Sequence, residues 1–113
     1  MSRQDTDFTI LITTCSSEDE AERIAHLLVK NRLAACAQIS GPITSYYWWQ
    51  GNFEQDKEWQ IKFKMPSANF DQACKLIKEN HSYEVPQIIS VKIDRILSEY
   101  AAWLMSETRL ENP

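Results

Sequence analysis

Glycine and proline are scarce in this 113-residue chain, two and four residues respectively. Most of it can therefore sit in regular elements joined by short connections. Positive charge is also short: 12 Lys and Arg against 16 Asp and Glu leave a formal charge of -4. That balance argues against nucleic acid as the main partner, because a phosphate backbone rewards clustered cations. No stretch reaches the length of a membrane span. The opening MSRQDTDF holds no apolar region resembling a signal peptide, so the cytoplasm is the expected compartment. Cys15, Cys36 and Cys74 are odd in number, far apart and without C-x-x-C spacing, which suggests reduced thiols. The chain also lacks a dinucleotide fingerprint, a phosphate loop, H-E-x-x-H and G-x-S-x-G. Any active site would have to be assembled from scattered residues, and no enzyme is expected.

What is present is a globular composition, 43% hydrophobic and 25% charged, in a length that makes residues 1–113 one domain. The most telling stretch is residues 36–65. An apolar segment broken by Gly41-Pro42 runs on through Tyr46, Tyr47, Trp48 and Trp49, and a turn follows around Gln50-Gly51-Asn52. Trp59, Ile61, Phe63 and Met65 then alternate with Gln60, Lys62 and Lys64, the pattern of a strand with two unlike faces. A ribbon so long and aromatic is hard to bury in one small domain. Another subunit is expected to cover part of it.

The first strand is expected over residues 8–15, rich in β-branched side chains. Ser17-Glu18-Asp19-Glu20 has the form of a capping box, in which Glu20 reaches back to the cap. The helix it opens runs to residue 31 and buries Ala21, Ile24, Ala25 and Leu28. The second strand begins near residue 33, and Gly41-Pro42 should bend or bulge it. Whether the third strand resumes at Phe53 or only near Lys57 is left open by pattern. Ser67 is the expected cap of the second helix. Ile89, Val91 and Ile93 should form the buried face of a fourth strand. Leu97, Tyr100, Ala101 and Leu104 mark a closing helix, and residues 111–113 should fray. The order is a ferredoxin-like βαββαβ: a four-stranded antiparallel sheet with two helices on one face, an extended β2-β3 hairpin and an extra C-terminal helix. The other sheet face lacks a layer within the subunit.

Three candidate sites emerge. Cys15 ends the first strand and His81 ends the second helix, so both can lie near one edge. A thiolate and an imidazole suit copper or zinc, with Glu84, water or a neighbouring subunit completing the set; the plain alternative is a semi-buried thiol and a capping histidine. The four aromatics Tyr46 to Trp49 resemble a stacking platform, but alternation sends Tyr47 and Trp49 to one side and Tyr46 and Trp48 to the other. Interface or core packing suits them better. In Tyr83-Glu84-Val85-Pro86, Glu84 either braces a stiffened loop or helps to line a cleft. Asp56-Lys57-Glu58 reads as a polar bend, and Glu58, Lys62 and Lys64 as a solvated or paired surface.

The chain resembles the divalent-cation-tolerance family, CutA. The matching pieces are Leu33-Ala34-Ala35-Cys36 leading to Gly41, then Thr44-Ser45-x-Tyr47-x-Trp49-x-Gly51, the loop HSYEVPQI at residues 81–88, and Tyr100-x-x-Trp103-Leu104. The resemblance implies an intertwined homotrimer of ferredoxin-like subunits whose second and third strands pair across subunit boundaries. It also implies a non-enzymatic role in divalent metal binding or tolerance, with copper(II) or zinc(II) as the expected ions. Loop histidines of the family align here with Asn80 and His81. The first-strand cysteine of some members aligns with Thr13, so Cys15 stands two positions, about 7 Å, further along the same face. The alternative function is a trimeric small-molecule sensor or protein-binding adaptor, with Tyr47, Trp49, Tyr83 and Glu84 bordering clefts between subunits.

Overall fold

The structure, a computed structural model, describes residues 7–110; the fraying expected at residues 111–113 lies outside them. Strand β1 spans Phe8–Cys15, helix α1 Glu18–Lys30, strands β2 and β3 Cys36–Trp49 and Asn52–Pro66, helix α2 Phe70–Asn80, strand β4 Ile88–Lys92 and helix α3 Ser98–Ser106. The sheet is antiparallel in the order β2-β3-β1-β4. The expected βαββαβ arrangement with its closing helix is what forms. Among the described residues no helix is long and apolar enough to cross a membrane.

Alternation decides which side of the sheet is dry. Leu11 pairs with Phe63 and Thr13 with Ile61, and these side chains share the helix-covered face with Met65 and Cys15. Against them pack Ala21, Ile24, Ala25 and Leu28 of α1 and Ala73 and Ile77 of α2. Each buried Leu, Ile or Phe of this layer contributes about 1.5–3 kcal/mol. The opposite face holds Val91 opposite Ile10 and Ile89 opposite Ile12. Val91 and Ile89 are about half exposed, 51% and 48%. The face of β4 expected to be buried is thus the open one. Alternation separates the two sides of a strand but does not say which side the helices will choose.

The hairpin settles where β3 resumes. Trp49 faces Asn52, so only Gln50 and Gly51 form the turn. Both have positive φ, 50° and 83°, the geometry that matches the twist of the flanking strands. Asp56-Lys57-Glu58 is therefore continuous strand, not a bend. The expected irregularity in β2 falls between Ser40 and Ile43, with a cis bond at Gly41-Pro42. A Cβ on Gly41 would lie 2.7 Å from Cδ1 of Trp59, so the indole occupies the space that any larger residue would need. Beyond this point the ribbon projects from the body and gives the molecule a long axis of 50 Å against 26 and 23 Å.

Two further local expectations change. Ser67 opens a 3-10 turn, Ser67–Asn69, ahead of α2 and does not cap the helix through its side chain. Instead Asn69 is fully buried and donates to the carbonyls of Leu33 and Arg109. Ser17 does cap α1, accepting from the Glu20 amide at 3.1 Å. Glu20, however, reaches back only to Ser16, and its carboxylate turns mainly to the loop after α2.

Candidate functional site

The loop of residues 81–87 is held against the end of β1 and the start of α1 by a compact polar cluster. Glu20 is 6% exposed. It accepts from the Ser82 amide at 2.6 Å, the Ser82 hydroxyl at 3.1 Å and the Ser16 hydroxyl at 3.4 Å. Burial alone would push this carboxyl up. The hydrogen bonds donated by the Ser82 amide and hydroxyl and by the Ser16 backbone outweigh it and hold the group below the usual carboxylate range.

His81 lies at the C-terminus of α2 with its side chain fully buried. One ring nitrogen, Nε2, lies 2.7 Å from the Thr14 carbonyl, which can only accept. The other, Nδ1, takes the Tyr83 amide at 3.0 Å, which can only donate. These partners select the neutral Nε2–H tautomer. The histidine is thus brought to the end of β1 as the sequence suggests, but it meets the backbone of Thr14.

Cys15 is fully buried in the core beneath α1. Burial, reinforced by the negative charge of Glu20, pushes its thiol up to about 12. Among the described residues no hydrogen bond or ion pair joins Cys15 to His81, and no group of three or more His, Cys, Asp or Glu side chains is placed to hold a metal ion. Ligation by His81 would require it to give up the Tyr83 amide or the Thr14 carbonyl. Within one subunit these residues do not fit a copper or zinc centre.

What the fold does build is a cleft of about 640 Å³ between the root of the hairpin and the 82–87 loop. At its floor is Glu58, only 7% exposed. Its two oxygens are each held by a hydroxyl, Oε1 by Ser45 at 2.7 Å and Oε2 by Tyr83 at 2.7 Å. Ser45 and Glu58 share a face of the ribbon because the register pairs Ser45 with Asp56 and Ile43 with Glu58. Tyr47 lies on the same face, and its hydroxyl donates to Asp56; that bond pushes the phenol up to about 12. Burial and the Glu58 bond raise the Tyr83 phenol as well.

Tyr47, Trp49, Tyr83 and Glu84, expected to border clefts between subunits, all line this cleft within the single chain. Glu84 is exposed, so it does not brace the loop; Glu20 does. Of the reading of Glu58 as solvated or paired surface, the solvated part is overturned: it is 7% exposed and is paired with the hydroxyls of Ser45 and Tyr83. Its periodicity with Gln60 and Lys62 was the one signal that β3 continued through it. On the ribbon's other face Tyr46 stacks on Phe53 at 6.1 Å and Trp48 meets the same ring at 5.4 Å. The four neighbouring aromatics do divide between two sides.

This geometry has close counterparts. The chain is 36% identical over 100 residues to the divalent-cation tolerance protein CutA of Pyrococcus horikoshii, covering 88% of this chain and 97% of that one. It is 33% identical over 95 residues to protein CutA of Homo sapiens, covering 84% of this chain and 53% of the human one. The solved divalent cation tolerance protein of Thermus thermophilus superposes with a TM-score of 0.87 at 35% identity, covering 90% of this chain and 99% of that one. CutA1 from Oryza sativa gives 0.89 at 30% identity, covering 93% and 97%. Residues 9–107 match the family described as CutA1 divalent ion tolerance protein, and to that family this chain belongs.

Proposed function

We propose that this protein is a non-catalytic, homotrimeric member of the cation-tolerance group that works by binding a small ligand in the cleft between hairpin and loop. The observation that carries the reading is Glu58: a carboxylate 7% exposed at the floor of an open cavity, positioned by Ser45 and Tyr83. A buried carboxylate is expensive unless it is paired and hydrogen-bonded; among the described residues Glu58 has the hydrogen bonds but no cation, and a cleft of this volume suits a small molecule.

The trimer is supported by what a lone subunit leaves uncovered. Trp48 is 72% exposed, and Tyr46 and Phe53 are each 61%. Among the described residues both outer strands, β2 and β4, present unpaired edges. Sister hairpins laid edge to edge would satisfy those amides and cover the rings. Light scattering at micromolar concentration tests this part, and a stable single subunit would end it. Titration of Trp49 fluorescence with a fragment set tests the cleft; ligands that bind equally well to Glu58→Gln and Tyr83→Phe would refute it.

Copper(II) or zinc(II) binding is the second reading, favoured by the relatives' description as divalent-cation tolerance proteins. Here the further donors would come from a neighbouring chain. Calorimetry of both ions with the parent protein and His81→Ala tests it, and identical weak binding would dismiss His81. We also infer a cytoplasmic location, supported by three free thiols. Cell fractionation checks this, and recovery in an exported fraction would reject it.

A further inference from the structure

We propose that the ligand of this cleft is a small organic monocation, an ammonium or quaternary amine whose head sits over Glu58 between the rings of Tyr47, Trp49 and Tyr83. The inference rests on the cleft being a ligand site and adds the ligand's chemistry.

The first support is a charge imbalance. Glu58 and Glu84 line the cleft, whereas among the described residues no Lys, Arg or His does. Among the described residues no basic side chain pairs with Glu58. Its neighbour Lys57 is directed to the Thr44 hydroxyl at 2.9 Å on the ribbon's other face. Two hydroxyls orient the carboxylate and leave its charge uncompensated. A desolvated charge held in place without a counter-charge is complementary to a cation brought from outside.

The second support is the wall. Tyrosine and tryptophan rings attract a cation through their electron-rich faces, and they do so best where water is excluded. Tyr47, Trp49 and Tyr83 line the cleft together with the Glu58 carboxylate. Among the described residues an anion finds no basic side chain in the lining, and no group of three or more His, Cys, Asp or Glu side chains is placed to hold a divalent ion. An organic cation needs one carboxylate and the rings.

The test uses the full-length protein in its native assembly. Choline and phenethylamine are titrated against Trp49 fluorescence and by calorimetry, alongside 3,3-dimethylbutan-1-ol, a neutral isostere of choline. The expected result is choline binding at least tenfold tighter than the isostere, with Glu58→Gln abolishing that preference. Should Glu58→Gln fail to assemble, Trp49→Leu is used instead and is expected to lower choline affinity at least threefold. Equal binding of choline and its isostere would overturn the cationic assignment while leaving the cleft a ligand site. Binding of neither, with fragments also silent, would overturn both. A structure showing a sister chain's lysine seated on Glu58 would likewise overturn the proposal.

Discussion

The hydroxyl of Tyr83 donates to Glu58 at 2.7 Å across 25 positions of sequence, tying the loop after α2 to the middle of β3. Burial and this bond raise the Tyr83 phenol above its ordinary value near 10. The folded protein therefore holds that proton more tightly than the unfolded chain does. The corresponding stability is complete below about pH 10 and drains away as pH climbs further. Tyr83→Phe should flatten that alkaline decline and cost about 1–2 kcal/mol at neutral pH through the lost bond. Urea unfolding at pH 7 and pH 10.5 checks both, and an unchanged midpoint at pH 7 would show that the bond contributes nothing.

Glu20 has the opposite sign. Its folded carboxyl lies below the usual range because the Ser82 and Ser16 donors outweigh burial. The stability it supplies is present above about pH 4.5 and is lost as pH falls through the lowered value. Glu20→Gln should make the acid limb of the stability curve shallower. It should also speed amide exchange at Ser82, whose N–H it now receives at 2.6 Å. Exchange at Ser82 no faster than in the parent would count against Glu20 as the brace of the loop.

Thr13 is fully buried, and its hydroxyl finds no hydrogen-bond partner among the described residues. A polar atom left unsatisfied in a core costs more than a methyl group of the same size. Thr13→Val should therefore raise stability by about 1 kcal/mol, read as a higher urea midpoint at unchanged slope. A lowered midpoint would mean that the hydroxyl has a use the fold does not display.

Gly41→Ala should be damaging for a steric reason. The new carbon would sit 2.7 and 2.9 Å from the Trp59 ring and 3.1 Å from the Glu58 carbonyl. Displacing the indole or the strand should cost about 1–3 kcal/mol and shift Trp59 fluorescence. Gly51→Ala is a useful contrast: its added carbon meets nothing within 4 Å, and only its φ of 83° penalises it.

The elements and their order were legible because each carries its own period. Trp59, Ile61, Phe63 and Met65 alternate, while Ala21, Ile24, Ala25 and Leu28 recur every three or four residues. The cleft was legible only in part. Tyr47, Trp49, Tyr83 and Glu84 were marked by chemistry and by resemblance. Glu58 was hidden inside a charged triplet, since its partners lie 13 and 25 residues away. Glu20 resembled a capping residue because local sequence supplies that role, whereas its actual partner, Ser82, is 62 positions distant. Ile89 and Val91 show the same limit: a pattern of faces is local, but coverage of a face belongs to the whole fold.

The projecting hairpin also carries a hazard for newly made chains. In the single chain Tyr46, Trp48 and Phe53 form an adhesive flank in water. On the reverse side Glu54 and Asp56 stand as like charges, set by the register opposite Tyr47 and Ser45. Blades that stack with those acids face to face repel one another, which disfavours indiscriminate fibre-like growth. One side of the ribbon thus carries acids and the other apolar rings, so its two flanks favour opposite behaviour toward a second ribbon.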